Sequence, residues 1–457
     1  MNKSVVKSLI LGLLILTSIY QIITLWFDNI SDRNFFYSFL DKTVAIISEP
    51  KGQPDRAYMA EPHMLGVFLG ASDKDFTIIQ KKNLDYDKLL TASMKAFTKV
   101  LSKGKLEDVY EEDSKLWQSR GLIFALSLSM TKEALARDLN VSESSFKNLS
   151  STKTMGLIPA KEKTDKIKAY FIDDQTGDVY VFSLGQNELR EENKSIKAYI
   201  NKMEDKSFPP YISSLKNDIE QFNENILLPL PTENLQYNNG LSFSTPFITD
   251  ENFEKEDLEK FVNGFFDTPN VKWTIPNIDV MIYGDDDTIV KYNNGAVFEY
   301  SSVLSDNNTS LNVSECFNVA ETFLAKDVLL STQDYYLKAY TVLDKKTIFY
   351  YKYGYDGLPL LMDQQKLTNI HMKYPMEITV ENGKVVKYKR VLIAINGLEG
   401  QEVFKSRLED ALNSFIGSFD VGKGELEDMC LGYVMEENKA KLMWIIKFNG
   451  KFHTLEL

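Results

Sequence analysis

Histidine is nearly absent from this sequence: 457 residues carry three, His63, His371 and His453. Each stands alone, none has a carboxylate at ligand spacing, and no His-Glu-x-x-His string occurs, which excludes a zinc-hydrolase helix. All three are read as structural histidines. Cysteine is scarcer still, and two residues, Cys316 and Cys430, exclude a disulfide-knit scaffold. They could form one bridge; the expectation is two buried thiols. The chain has no Gly-x-Ser-x-Gly elbow, no P-loop and no Gly-x-Gly-x-x-Gly, so nothing marks nucleophilic catalysis or a nucleotide site. Basic charge is in deficit: 52 Lys and Arg against 65 Asp and Glu give a net charge of −13 at pH 7. That balance disfavours nucleic acid and broad adsorption to anionic lipid. The expectation is a chain that is not an enzyme, with no cofactor and no metal.

One string tempts toward metal chemistry, Tyr283-Gly284-Asp285-Asp286-Asp287, which superficially looks like a paired-carboxylate polymerase site. It sits between two short alternating runs, where Gly and Asp make a hairpin turn. A turn is the reading adopted, with weak Ca²⁺ binding as the alternative.

What the chain does have is a long uncharged run, SLILGLLILTSIYQIITLWF, over residues 8–27. At about 1.5 Å per residue it spans a hydrocarbon core of roughly 30 Å, and it ends in bulky Leu25, Trp26 and Phe27 without a small-residue cleavage site. It reads as an uncleaved transmembrane helix. Lys3 and Lys7 precede it and Asp28 and Asp32 follow it, which places the N-terminus in the cytoplasm and the bulk of the chain outside the cell membrane. Thr17, Gln21 and Thr24 share one face of this helix and are the candidate transmembrane partner contacts. The other reading of Gln21 is an amide close enough to the outer interface to reach water.

Beyond the membrane the composition is that of folded protein, 44% hydrophobic and 26% charged, and its 12% aromatic content leans toward sheet. Apolar residues recur at helical spacing over residues 86–106, and residues 121–128 read as a buried strand followed by a helix starting near Thr131. Residues 167–184 form a hairpin, and helices are expected at 193–204 and 211–225. The LPLP stretch at 228–231, with Asn238-Asn239-Gly240 after it, is the clearest seam. A helix over 257–266 leads into a meander of strands at 278–283, 288–292 and 296–302. The remainder carries a weak repeat: a helix at 315–324 before the strands of 335–357, and a helix at 402–416 before those of 426–450. Between them, residues 376–394 supply a hairpin turning at 381–383. The fold class expected is α+β, a single N-terminal transmembrane helix followed by an elongated multi-domain ectodomain of antiparallel sheets with packed helices. The segments are a tail at 1–7, the span at 8–27, an N-terminal α+β domain at 28–230, a central domain at 231–304 and a C-terminal domain at 305–457.

SIYQIITLWF at 18–27, RNFFY at 33–37, the LPLP seam, FFDTP at 265–269 and FEY at 298–300 together resemble the YycH family. Residues 305–457 look like the domain that YycH shares with its sister protein YycI, whose repeated helix-plus-strands unit matches the repeat above. The resemblance implies an exported accessory protein of the YycFG (WalRK) two-component system. Such a protein would associate with a sensor histidine kinase and a YycI-like single-span protein, modulating the kinase through protein and transmembrane-helix contacts and so tuning cell-wall metabolism. The alternative is a membrane-anchored extracytoplasmic protein that binds a ligand or the cell wall, for which a Tyr-lined groove with convergent polar groups would be the sign.

Overall fold

The computed structural model describes residues 58–456 except 71–75, 82, 84, 111–113, 163, 205–209, 215–221, 223–224, 231–238, 250–251, 304–310, 399–405 and 419–425. All of them belong to one compact unit, Ala57–Leu457. A separate unit, Met1–Arg56, lies outside the described residues, and with it the expected transmembrane segment. No helix among the described residues is long and apolar enough to cross a membrane.

Alternation of apolar and polar residues builds two large sheets. The first uses β1 (Pro62–Phe68), β2 (Phe76–Ile79), β3 (Lys105–Tyr110), β4 (Gly121–Thr131) and β5 (Ser151–Ile158). It is completed by β6 (Lys166–Asp173), β7 (Val179–Gly185), β8 (Pro210–Ser213) and β9 (Leu227–Pro229), in the order β3-β7-β6-β5-β4-β1-β2-β8-β9. The Tyr86–Lys103 helix lays Leu89, Met94, Phe97 and Leu101 into the core against β6 and β7, beside the Arg190–Glu204 helix, which buries Ile196, Ile200 and Met203. Phe97 meets Phe124 at 5.1 Å and Phe171 at 5.6 Å between ring centroids, tying helix to sheet through aromatic edges. At the end of β4, Thr131 caps the Lys132–Asp138 helix by accepting the Ala134 N–H, where the sequence places a helix start.

The second sheet begins at β10 (Gly240–Ser244); a small ribbon, β11 (Ile248–Thr249) and β12 (Asn252–Phe253), stands apart from it. The Lys255–Asn263 helix leads to β13 (Trp273–Pro276) and the meander β14 (Val280–Gly284), β15 (Thr288–Asn293) and β16 (Val297–Ser302). Then come β17 (Asp334–Leu343), β18 (Lys346–Tyr355), β19 (Leu358–Leu361), β20 (Met376–Glu381) and β21 (Lys384–Val391). Last are β22 (Ala394–Leu398), β23 (Leu426–Glu436), β24 (Lys439–Phe448) and β25 (Lys451–Leu455). The main path runs β13-β14-β15-β16-β21-β20-β18-β19-β23-β24-β10-β22, with β17 on β18 and β25 on β24. The meander therefore continues directly into β21, and each helix-plus-hairpin unit of the weak repeat contributes to the same sheet. The two units are linked where β19 pairs parallel with β23. The Val313–Leu324 helix, closed at its start by a reciprocal Asn312–Glu315 capping box, packs on β18, β20 and β21. Under that face, Arg390 donates to Asp327 at 2.8 Å, both side chains fully enclosed.

The architecture is α+β and sheet-dominated, as the pattern indicates, with one local correction. The 211–225 helix is not formed at its start: residues 211–213 belong to β8, an extended segment pinned between β2 and β9 after Pro209 and Pro210. Helical spacing of Ile212 with later apolar residues loses to strand pairing on both sides, and Pro210 sits at the first position of the strand, where a missing N–H is tolerated. The helix that begins at Tyr86 stops at Lys103 with Gly104 as its cap, and Lys105 opens β3, a largely exposed edge strand without apolar alternation.

Candidate ligand cavity between the two sheets

A cavity of about 560 Å³ opens between β1, β4 and β5 of the first sheet and β17, β18, β23 and β24 of the second. Its walls are built where the ladders go out of register. Pairing shifts at His63 in β1, between Ala125 and Met130 in β4, and at Lys153 in β5. It shifts again at Lys338 in β17 and at Glu427 in β23. Each shift leaves an unpaired residue and re-aims its side chain, the usual purpose of a bulge beside a site. All five of these stretches line the same cavity.

One end is rich in lysine. Lys338 Nζ donates to the Ser127 carbonyl oxygen at 3.2 Å, while the Ser127 hydroxyl donates to the carbonyl of Leu337, so β4 and β17 are stitched together at the wall. Lys352 lies with its ammonium 4.7 Å from the centre of the Phe452 ring. Lys447 is paired with Glu427, and the Glu427 carboxylate also accepts the Gly450 N–H. Asp174 takes the Ser129 hydroxyl and the Lys153 N–H, the latter at 2.9 Å. Removal from water, together with the ammonium groups of Lys153 and Lys352, holds Lys338 down to about 8 against the partial help of Asp428. Lys352 is lowered for the same first reason, desolvation. His63 lines the cavity, and removal from bulk water, with the charges of Lys338 and Lys153, pushes its imidazole down to about 3 and keeps it neutral. Its ring stacks on Tyr336 at 6.0 Å. Burial, then Asp428, pushes the Cys430 thiol up, so it is an inert lining group.

The other end is tyrosine and carboxylate. Glu321 accepts from Tyr351 Oη at 2.8 Å and from Tyr335 Oη at 3.3 Å, and burial raises its carboxyl. Lys81 pairs with Glu61 at 3.0 Å and hangs 5.7 Å from the centre of the Tyr335 ring. Tyr58 and Tyr211 add to the lining, so the groove is Tyr-lined with polar groups converging from both sheets.

The residues singled out in the sequence fall elsewhere. Thr17, Gln21 and Thr24 lie outside the described residues. The Tyr283 to Asp287 string is the β14–β15 turn: Asp285 Oδ1 accepts the N–H groups of Asp287 at 3.0 Å and Thr288 at 2.7 Å, capping the loop. Gly284 lets the Trp273 ring lie across the strand, because a Cβ would stand 2.2 Å from it. Among the described residues, no group of three His, Cys, Asp or Glu side chains is placed to hold a metal. Cys316 is buried, Cys430 half-buried, and both are free thiols. Sequence reasoning missed the cavity, because its lysines stand in strands and turns where charge reads as a solvated face. The available signal was Lys338 and Lys352 interrupting the aromatic runs around Tyr336 and Tyr351.

A second surface feature lies at the far edge of the second sheet. Among the described strands β13 is terminal, and it exposes Trp273 and Ile275 at 44% and 53%, with Ile278 beyond it at 84%.

No family model and no curated protein matches the chain. Its structure is similar to that of YycH from Bacillus subtilis. That match has a TM-score of 0.49 at 15% identity and covers 87% of this chain and 96% of that one. An uncharacterized protein from Eubacterium rectale matches at TM-score 0.32 and 9% identity, over 50% of this chain and 86% of its own. The YpeB C-terminal domain of Bacillus megaterium matches at TM-score 0.26 and 11% identity, over 44% of this chain and 98% of its own.

Proposed function

We propose that the chain is a membrane-anchored, non-catalytic regulatory protein of a cell-wall-controlling two-component system. Its body outside the cell binds protein partners, namely a sensor histidine kinase and a YycI-like single-span protein. Residues 8–27 form the transmembrane helix, the N-terminus is cytoplasmic, and Thr17, Gln21 and Thr24 face the kinase. The motifs shared with the YycH family and the uncharged span support this reading. The structural observation that carries the protein-binding part is the β13 edge, an open strand with Trp273, Ile275 and Ile278 exposed, to which the YycI-like partner adds a strand. Modulation follows if partner contacts differ between the active and inactive states of the kinase by about 1–3 kcal/mol.

The test is cross-linking and pull-down of the full-length protein from native membranes, beside a form lacking residues 1–28 and the variants Gln21→Leu and Trp273→Asp. Recovery of a sensor kinase by the full chain, with loss on truncation and on Gln21→Leu, supports the helix contact. Loss of a single-span partner on Trp273→Asp supports the edge. Recovery of wall material by both long and short forms, with no kinase, favours the second reading, an anchored ligand-binding protein, for which the Tyr-lined cavity speaks.

A further inference from the structure

We infer that the lysine end of the inter-sheet cavity is a binding site for an organic anion, a phosphate ester or a carboxylate. In a chain of net charge −13, the ammonium groups of Lys153, Lys338, Lys352 and Lys447 are gathered at one wall. They arrive on four strands, two of them, β5 and β17, through the register shifts at Lys153 and Lys338 themselves. Such a gathering repels itself unless something negative lies among it.

The protein supplies only part of that charge. Of the three carboxylates at this end, Glu427 is engaged with Lys447. Asp174 is turned to the Ser129 hydroxyl and the Lys153 N–H. Asp428 is left to face Lys338 and Lys352, and no described carboxylate forms an ion pair with either of them. Lys153, Lys338, Lys352 and Lys447 against Asp174, Glu427 and Asp428 leave an excess of one positive charge, which a bound anion offsets. Lysines act here as point charges, which suits a compact oxyanion without demanding the planar fork of arginine. The remaining surface is organic in character: the stacked pair of His63 and Tyr336, the Phe452 ring, and Leu431 and Ile445 beneath. His63 is held neutral, so it adds no charge. A volume of about 560 Å³ lies within the range that encloses a small organic molecule. The site belongs to the folded body, and its success or failure is independent of kinase association.

The experiment is isothermal titration of the full-length protein in detergent with phenyl phosphate, with phthalate, and with inorganic phosphate as the bare-anion control. The expected result is saturable one-to-one binding of one of the two aromatic anions, with a dissociation constant below about 1 mM. Lys338→Met and Lys352→Met each weaken it by about tenfold or more, whereas Lys105→Met, on the exposed β3 edge, leaves it unchanged. Tighter phenyl phosphate assigns a phosphate ester, and tighter phthalate a carboxylate. A separate reading guards against a folding defect. Because like charges oppose one another in the empty site, Lys352→Met leaves the ligand-free thermal midpoint at pH 7 unchanged or raises it. Absence of saturable binding by either aromatic anion, or binding that survives both lysine substitutions, overturns the inference. So does a ligand-free midpoint that falls in both variants, which makes the lysines structural.

Discussion

Removing one partner of the Arg390–Asp327 pair should be among the most damaging single changes in the second sheet. The pair spans 2.8 Å with both side chains at 0% exposure. The same carboxylate oxygen accepts Tyr388 Oη at 2.8 Å, the other accepts the Leu329 N–H at 3.1 Å, and Arg390 also donates to Gln333 Oε1 at 3.0 Å. Asp327→Asn keeps the shape but leaves a guanidinium enclosed without countercharge, and Arg390→Met does the reverse. Each should cost about 3–5 kcal/mol. Spread over the unfolding entropy of roughly 400 residues in the unit Ala57–Leu457, about 4 kcal/mol lowers the thermal midpoint by about 5 °C. The double variant removes both charges and should lie within about 2 kcal/mol of the parent, far above the sum of the singles. Scanning calorimetry of the four proteins in detergent measures this cycle. Singles that shift the midpoint by under about 1 °C, or a double that is simply additive, would refute the assignment of a closed charge pair.

Three further outcomes are expected. His63→Gln should flatten the acid limb of the stability profile: the folded imidazole sits at about 3 against 6.5 when free. Between those values the unfolded chain binds a proton that the folded one refuses, so parent stability falls as pH drops through that window. Parallel midpoint curves for parent and variant from pH 7 to 4 would count against it. Asp173, 1% exposed, accepts from the Ser150 N–H at 2.6 Å and the Gln175 N–H at 2.8 Å, and though burial opposes it, these bonds hold its carboxyl low. Its contribution is present above the ordinary carboxylate range and lost as pH falls, so Asp173→Asn should cost about 1–3 kcal/mol at pH 7 and little in acid, read by urea titration at both. Gly284→Ala should drive the Trp273 ring off its bed, red-shifting tryptophan emission while costing under about 1.5 kcal/mol, because the edge ring can swing into solvent; unchanged emission would show the ring rests elsewhere.

Legibility followed the length and regularity of the local pattern. The 167–184 hairpin, the meander and the helices at 86 and 313 are written in runs of apolar residues whose spacing alone fixes the buried face. Edge strands were not legible: β3 and β13 expose most of their residues, so no alternation announces them. β8 was hidden by a helix-like spacing that pairing overrode. The cavity was invisible for a deeper reason. A register shift is a property of two strands together, and at Lys338 or Glu427 nothing in the local residues states which partner strand will be one residue short.

The stitch between Ser127 and the Leu337 carbonyl joins residues 210 positions apart. Everything in the first sheet, through Pro229, can be complete while the chain that carries β17 has yet to arrive. The cavity wall is therefore among the most non-local contacts of the chain, one that closes a loop of 210 residues between the two sheets. An occupant of that space would recognise the finished molecule and no earlier state of it, so a bound ligand would act on assembly and turnover as a seal of completion, slowing the parting of the sheets without hastening their formation.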